Sequence, residues 1–545
     1  MTRDLNLADI QGNIIRAYGG YGFARSRYFF LHIDNARVGR RFVDTVRGKV
    51  TTAQRWALGG SDHKGKSSFL ERPNVTLNIA FTFRGLIALD LPTRTLQALP
   101  DAFIEGMAKR CHILGDINDS APEEWDDIWR ESNRPGSKDE VHIWISMNAL
   151  VGPDGQVAKE LEEQTTWLRT LCEESGGVRL LSGNGPDGKD HQEGGAKLDK
   201  QPDGTYRPSN KEHFGYSDGF GNPVFQGQFS PDIEKSAVIG RGKIMPDQSW
   251  EPLAAGEFLL GHPDESQGLP ATSKPWAFTT NGTFMAYRKL HENTKSFKDY
   301  MDQIAEQYAS VMEVDLDEAK ETVMAKLVGR WANGVPLSNA PTYADKKAFD
   351  EKWAGKEDSY EYGEAIRDFK FADDLEGFKC PVSAHMRRAN SRDMLDPRIT
   401  SKDPSEWTGS ALNKRRRILR RGLPYGSFET GGDDDNGDHG IIFMAICADL
   451  FRQFEFVQQQ WMQYGLDFNV GNETCPIIGN HGPDPSSGIH GTDSHFVIAA
   501  DPKSGKPPFV CPNLPQFVTT RGGDYFFIPS VTALSMIAMG SIDPT

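Results

Sequence analysis

Apolar and polar residues alternate over three short segments in the first 150 positions: "RYFFLHID" (27–34), "VTLNIAFTF" (75–83) and "EVHIWISM" (140–147). A two-residue period sends successive side chains to opposite faces, so each segment is expected to be a strand with one buried and one wet face. Helix-like spacing marks "ARVGRRFVDTVRG" (36–48), "TRTLQALPDAFIEGMAKR" (93–110) and "AKELEEQTTWLRTLCEE" (158–174). The order strand, helix, strand, strand, helix suggests a split-βαβ, ferredoxin-like layer. Residues 183–213 are rich in glycine, proline and charge, which places a boundary or surface loop there.

Beyond that loop the grammar repeats at greater length. A charged helical section spans roughly 290–330, and a polar stretch continues to 376. Strand-like runs return at "GIIFMAICA" (440–448), "HFVIAA" (495–500) and "GDYFFIPS" (523–530), with a helix expected over "DLFRQFEFVQQQWMQYG" (449–465). Two α+β halves are therefore expected, 1–205 and 206–545, the second carrying a helical and polar insertion around 290–376. No short-period repeat of the solenoid type is present.

Bulk properties narrow the function. A chain of 545 residues with 38% hydrophobic composition can bury a large core. A net charge of −15 disfavours electrostatic capture of nucleic acid or an anionic membrane. The longest apolar run, 441–448, is far shorter than the ~20 residues that span a bilayer. The opening residues show no signal-peptide pattern, and six scattered cysteines form no C-x-x-C pair. A cytoplasmic protein with reduced thiols is the expectation.

Several motifs fail on inspection. "GNGPDG" (183–188) matches G-x-G-x-x-G, but Pro186 and the polar continuation deny it the helix that would hold a pyrophosphate. "DDDNGD" (433–438) resembles a calcium loop, yet with Gly437 at the sixth position the first and twelfth are Gly432 and Phe443, neither a ligand. H-E-x-x-H, G-x-S-x-G and the P-loop pattern are absent.

Three fragments remain. "HFGYSDGFGNP" (213–223) sets the carboxylate of Asp218 in a turn whose glycines permit close approach to a flat ligand. "CPVSAHMRRANSRD" (380–393) places His385 beside Arg387, Arg388 and Arg392, a set suited to an anionic cofactor. "RRRILRRGLPYGSF" (415–428) is a basic stretch ending in a Leu-Pro-Tyr-Gly turn, and taken alone it also reads as a solvated face or an RNA-contacting strip.

In this order the fragments resemble the dye-decolorizing peroxidases, a family of haem enzymes with G-x-x-D-G, then a proximal histidine followed by arginines, then an arginine before P-[YF]-G. "DIQGNI" (9–14), "GRWANGVPL" (329–337), "QFEFVQQQW" (453–461) and "TTRGGDYFFIPS" (519–530) extend the resemblance over most of the chain. It looks like one of the larger subfamilies. The resemblance implies an α+β fold of two ferredoxin-like domains, antiparallel sheets packed between helices, with one haem b per chain in the C-terminal domain. It implies His385 as axial iron ligand, Asp218 as distal acid/base and Arg420, the fourth residue before Pro424, as distal charge stabiliser. Gly219 brings backbone against the cofactor, Arg392 pairs with a propionate, Ile441 and Phe443 form the distal wall, and Glu455 is a candidate partner for the His385 ring N–H. The implied activity is oxidation of dyes, phenolics and other aromatic reductants by hydrogen peroxide in one-electron steps, by a monomer or small homo-oligomer without nucleic-acid or membrane partners. The rival readings are a haem-handling protein of the same fold and a basic-strip RNA- or partner-binding protein.

Overall fold

The computed structural model describes residues 4–57, 70–134, 136–270, 273–428, 434–482 and 494–540. The large sheet takes five strands from the first 200 residues: β1 (Arg25–Ile33), β2 (Val75–Phe81), β3 (Ile143–Ala149), β4 (Val178–Leu180) and β5 (Gln192–Gly195). It takes five more from the remainder: β6 (Thr283–Glu292), β7 (Leu419–Arg421), β8 (Pro424–Tyr425), β9 (Gly440–Cys447) and β10 (Val518–Ile528). They hydrogen-bond in the order β7-β9-β6-β10-β2-β3-β1-β4, with β8 paired to β9 and β5 to β1, and every pairing is antiparallel. The two wings join through one residue pair, Phe81 opposite Phe527, and edge strand β5 returns beside β8, so the sheet curls on itself.

That curl overturns the expectation of a wet face on the early strands. Every residue of β2 and β3 is buried, the polar ones included. Inside the curl Tyr28, Phe30, Trp144, Tyr287 and Phe526 pack ring against ring, with centroids 5.3–6.5 Å apart. Buried polar side chains satisfy one another: Asn78 donates to Gln11 at 3.2 Å, and Gln11 reaches the carbonyls of Ile79 and Pro529. Helices α1 (Ala36–Arg47) and α2 (Glu160–Ser175) cover the first wing. The C-terminal helix α6 (Val531–Met539) packs on α1, tying the chain's end to its beginning.

Two further expectations change. The stretch 93–110 is not one helix but short turns, Thr93–Leu96, Asp101–Glu105 and Ala108–Arg110, because Pro100 cannot continue the first and Gly106 ends the second with φ 78°. The helical section begins later than 290: β6 runs to Glu292 and is followed by α3 (Thr294–Met312) and α4 (Leu316–Val328). β6 hides its period because both faces are buried and carry charges. Arg288 pairs with Asp116, while Lys289 meets Asp126 and Asp438 at 2.8 Å. "GNGPDG" forms turns without a following helix, and the described part of 433–438 is a turn; Asp433 lies outside the described residues.

Candidate functional site

Backbone register places the distal residues. Arg420 on β7 stands opposite Ala445 on β9, and opposed residues of an antiparallel pair share a face. Ile441 and Phe443 alternate onto that same face and are half-buried, whereas Ile442 and Met444 point the other way and are fully buried. The face turns away from the aromatic interior of the curl, where Met444 is opposite Tyr287.

The turn carrying Asp218 lies against it. Arg420 Nη1 donates to both Asp218 oxygens at 2.9 Å, and the Arg420 backbone N–H donates to Asn222 Oδ1 at 2.7 Å, so the same loop holds both ends of the arginine. Arg421 faces elsewhere and donates to the carbonyls of Asn13 and Ile14. The Asp218 side chain is 55% exposed, so its carboxylate faces an open hollow rather than packed protein. A Cβ added at Gly219 (φ 95°) or Gly221 would meet no atom within 4 Å, so the backbone leaves open space there. Burial pushes the Asp218 carboxyl up, but the Arg420 charge, the Gly219 N–H and the His385 ring outweigh it and hold it below the ordinary aspartate value.

His385 opens the short helix α5 (His385–Ala389), which packs against α4 and against the wide-turn helical segment over 451–462. Its Nδ1 lies 3.2 Å from Cys475 Sγ, and its Nε2 has no hydrogen-bond partner among the described residues. Burial disfavours the charged ring, yet Cys475 and the Asp218 carboxylate outweigh that cost and the opposing Arg420 charge, so the imidazole is more basic than usual. Asp218, Arg420 and His385 thus share one electrostatic environment without His385 touching the other two.

Glu455 is not the partner of His385. Its fully buried carboxylate accepts from Arg110 Nε at 2.5 Å, Arg110 Nη2 at 2.6 Å and Tyr525 Oη at 2.7 Å, which ties the 451–462 segment to the sheet. The helical register turns it away from α5, and Cys475 takes the place expected for it. Arg387 and Arg388 likewise do not face the hollow. Arg387 is bound to Asp374 and the Cys380 carbonyl, and Arg388 to the carbonyls of Trp461, Tyr464 and Glu473.

Arg392 belongs to a cluster that the sequence alone does not assemble. With Arg241, Arg330 and Arg417 it makes a cluster of four guanidinium groups, Arg392 and Arg417 buried and Arg241 and Arg330 half-buried, none of which forms an ion pair with a described residue. Arg392 donates to the carbonyls of Arg367, Phe369 and Gly240, and Arg417 donates to Gly242 while its Nη2 is buried and unpaired. Burial first, and the neighbouring arginines second, lower the pKa of Arg392 and Arg417. An unpaired buried guanidinium nitrogen and clustered positive charge fit an anionic group with two carboxylates, the open backbone at Gly219 and Gly221 fits a flat one, and a histidine with a free nitrogen fits an iron ligand. The "GRWANG" motif held the signal for Arg330; Cys475 stands in no motif.

The family model described as the DyP dimeric alpha+beta barrel domain matches residues 9–148, and that described as Dyp-type peroxidase, C-terminal, matches 374–467. Dye-decolorizing peroxidase AauDyP1 of Auricularia auricula-judae is 26% identical over 97% of this chain and 86% of its own length. The multifunctional dye peroxidase DyP2 of an Amycolatopsis species is 25% identical over 97% and 95%. Among solved structures, an ancestral D-type dye-decolorizing peroxidase superposes with TM-score 0.67 at 23% identity, covering 98% and 99% of the two chains, and a dye-decolorizing peroxidase in complex with 2,6-dimethoxyphenol with TM-score 0.64 at 21%, covering 98% and 100%. With both family models matching in order and relatives aligned over nearly the whole length, the chain belongs to the DyP-type peroxidase family.

Proposed function

We propose that this haem peroxidase uses Asp218 as the distal acid/base, Arg420 as the distal charge stabiliser and His385 as the axial iron ligand. The observation that carries the reading is the Asp218–Arg420 pair at the edge of a hollow whose electrostatics it shares with His385. When bound, haem supplies the iron that takes up hydrogen peroxide and the redox capacity for one-electron oxidations.

The chain's own residues do the rest. Asp218, held ionised, would accept a proton from one peroxide oxygen and return it to the other, a role needing a short carboxylate with little freedom. Arg420 keeps that carboxylate charged and presents its remaining N–H groups where negative charge gathers. Phe443 and Ile441 give the hollow an apolar wall, limiting water around the pair. Cys475 orients the His385 ring and leaves Nε2 as the atom that would hold the iron of a bound haem. The arginine cluster with Arg392 holds the anionic edge of the cofactor.

Phenols and dyes are the proposed reductants, in keeping with the 2,6-dimethoxyphenol complex of the structural relative. The six free cysteines favour a reducing compartment, and among the described residues no helix is long and apolar enough to cross a membrane. Purified protein mixed with one equivalent of peroxide tests the activity. A rapid change in haem absorption reversed by a phenol is expected; inertness toward peroxide with normal haem content would refute it.

A further inference from the structure

Six residues before Asp218 stands a carboxylate that the proposed chemistry leaves unused. Glu212 is buried, with Oε2 accepting the Phe214 N–H at 2.7 Å and Oε1 the Tyr216 N–H at 2.6 Å. Its carbonyl accepts the Gly215 N–H at 3.0 Å, and Gly215 has φ 94°. One side chain thus folds the turn that delivers Asp218. Against it lies Glu292, the last residue of β6 and 3% exposed, whose carboxyl sits beside that of Glu212 and near the His213 backbone N–H. Protein N–H and O–H groups leave Oε2 of Glu292 sealed from solvent and unpaired.

Two buried carboxylates side by side favour a proton shared between them, and among the described residues no lysine or arginine pairs with either. Tyr216 and Asp218 face the pair from the turn, and Tyr425 faces it from β8. His213, His291 and His439 adjoin it, and burial lowers all three below the ordinary histidine value. Lys289, three residues up the strand, is engaged with Asp126 and Asp438. Burial, with the adjoining carboxylate second, pushes Glu292 well above the ordinary glutamate value, and burial raises Glu212 as well.

We propose that Glu292 is a positioning residue for the distal acid: it stays protonated, donates to Glu212, and so latches the turn that aims Asp218 at the hollow. The inference rests on Asp218 being the distal base. Its pH sign follows from a raised carboxyl pKa. The latch is complete at low pH, and it opens as pH rises through the Glu292 value, when a second negative charge is confined beside Glu212 and within reach of Asp218.

The test uses haem-loaded protein. Infrared spectra in H₂O and D₂O are expected to show the carbonyl stretch of a protonated carboxylic acid at neutral pH, lost in Glu292→Gln and retained in Asp218→Asn. Stopped-flow rates of the peroxide reaction are expected to fall on the alkaline side in wild type and to lose that limb in Glu292→Gln, whose amide donates without titrating. Glu292→Ala should slow the reaction by about ten- to a hundredfold, the cost of misplacing a reacting group by roughly an ångström, and Gln should recover most of it. A carboxylic acid band that survives Glu292→Gln, or disappears only in Glu212→Gln, overturns the assignment. An alkaline limb unchanged in Glu292→Gln overturns the latch. If Asp218→Asn reacts like wild type, the distal-base reading fails instead, and the infrared result still decides where the proton sits.

Discussion

Replacing Asp218 by asparagine separates a turn residue from a proton carrier, because the structure assigns very different magnitudes to the two roles. The amide keeps an oxygen for Arg420 Nη1, and the turn retains the Asp218 N–H bond to the Asn210 carbonyl at 2.9 Å and the Glu212 contacts. With 55% of the side chain exposed, the ion pair contributes at most about 1 kcal/mol to folding, which is a Tm shift of a few degrees or less. Loss of a general base slows its step by about 10²–10⁴, or roughly 2.7–5.4 kcal/mol of barrier. The expected result is a normal melting curve and haem content beside a peroxide step slower by those powers of ten, read from haem absorbance after rapid mixing. The pH profile supplies a second check. The carboxyl is held below the ordinary value of 3.8, so the acid/base function is intact above that pH and is lost only as pH falls through the lower native value. The peroxide step in wild type should therefore stay flat into strongly acid solution. A variant matching wild type at every pH, or a wild-type acid limb centred above the ordinary aspartate value, refutes the reasoning.

Arg420→Leu should keep haem but slow the peroxide step and raise the Asp218 pKa, moving the acid limb toward neutral pH. Arg421→Leu should instead cost stability with little kinetic change, because Arg421 ties β7 to the Asn13 and Ile14 carbonyls; melting curves and rapid-mixing rates together distinguish the two. Cys475→Ala should retain haem, lower the iron–histidine stretching frequency seen by resonance Raman and raise the reduction potential, since the ring loses the acceptor that makes it a better donor; unchanged values would remove Cys475 from the site. Glu455→Gln should destabilise folding by about 1–3 kcal/mol in denaturant titrations, since half-buried Arg110 then keeps only Glu105 as its counter-charge, while the haem spectrum of the folded protein is unchanged. His385→Ala should lose haem or its axial bond, and a wild-type absorption spectrum in that variant would overturn the ligand assignment.

Much of this protein was legible from short-range pattern. The strands at 25–33, 75–81, 143–149 and 440–447 announce themselves through β-branched and aromatic runs, and Asp218, His385 and Arg420 stand in compact motifs because each needs a particular backbone shape around it. The spacing of Arg420 from Pro424 singles it out from Arg421, and the structure gives it the contact to Asp218. Pattern failed where burial was two-sided. β6 reads poorly as a strand because Arg288 and Lys289 find carboxylates from residues 116, 126 and 438, partners invisible to any local window. The early strands carry polar positions that predict a wet face, yet the curl of the sheet encloses them. Glu455 meets Arg110 and Tyr525 rather than His385 for the same reason: whether a helical side chain reaches α5 or Arg110 depends on register and crossing, not on composition. Cys475, the unpaired Arg417 nitrogen and the Glu212–Glu292 contact join residues 80 to 90 positions apart or bring arginines of four segments together. The sequence determines which groups can do the chemistry, whereas only long-range packing decides which of them lose water, meet one another and acquire the altered basicity that the chemistry requires.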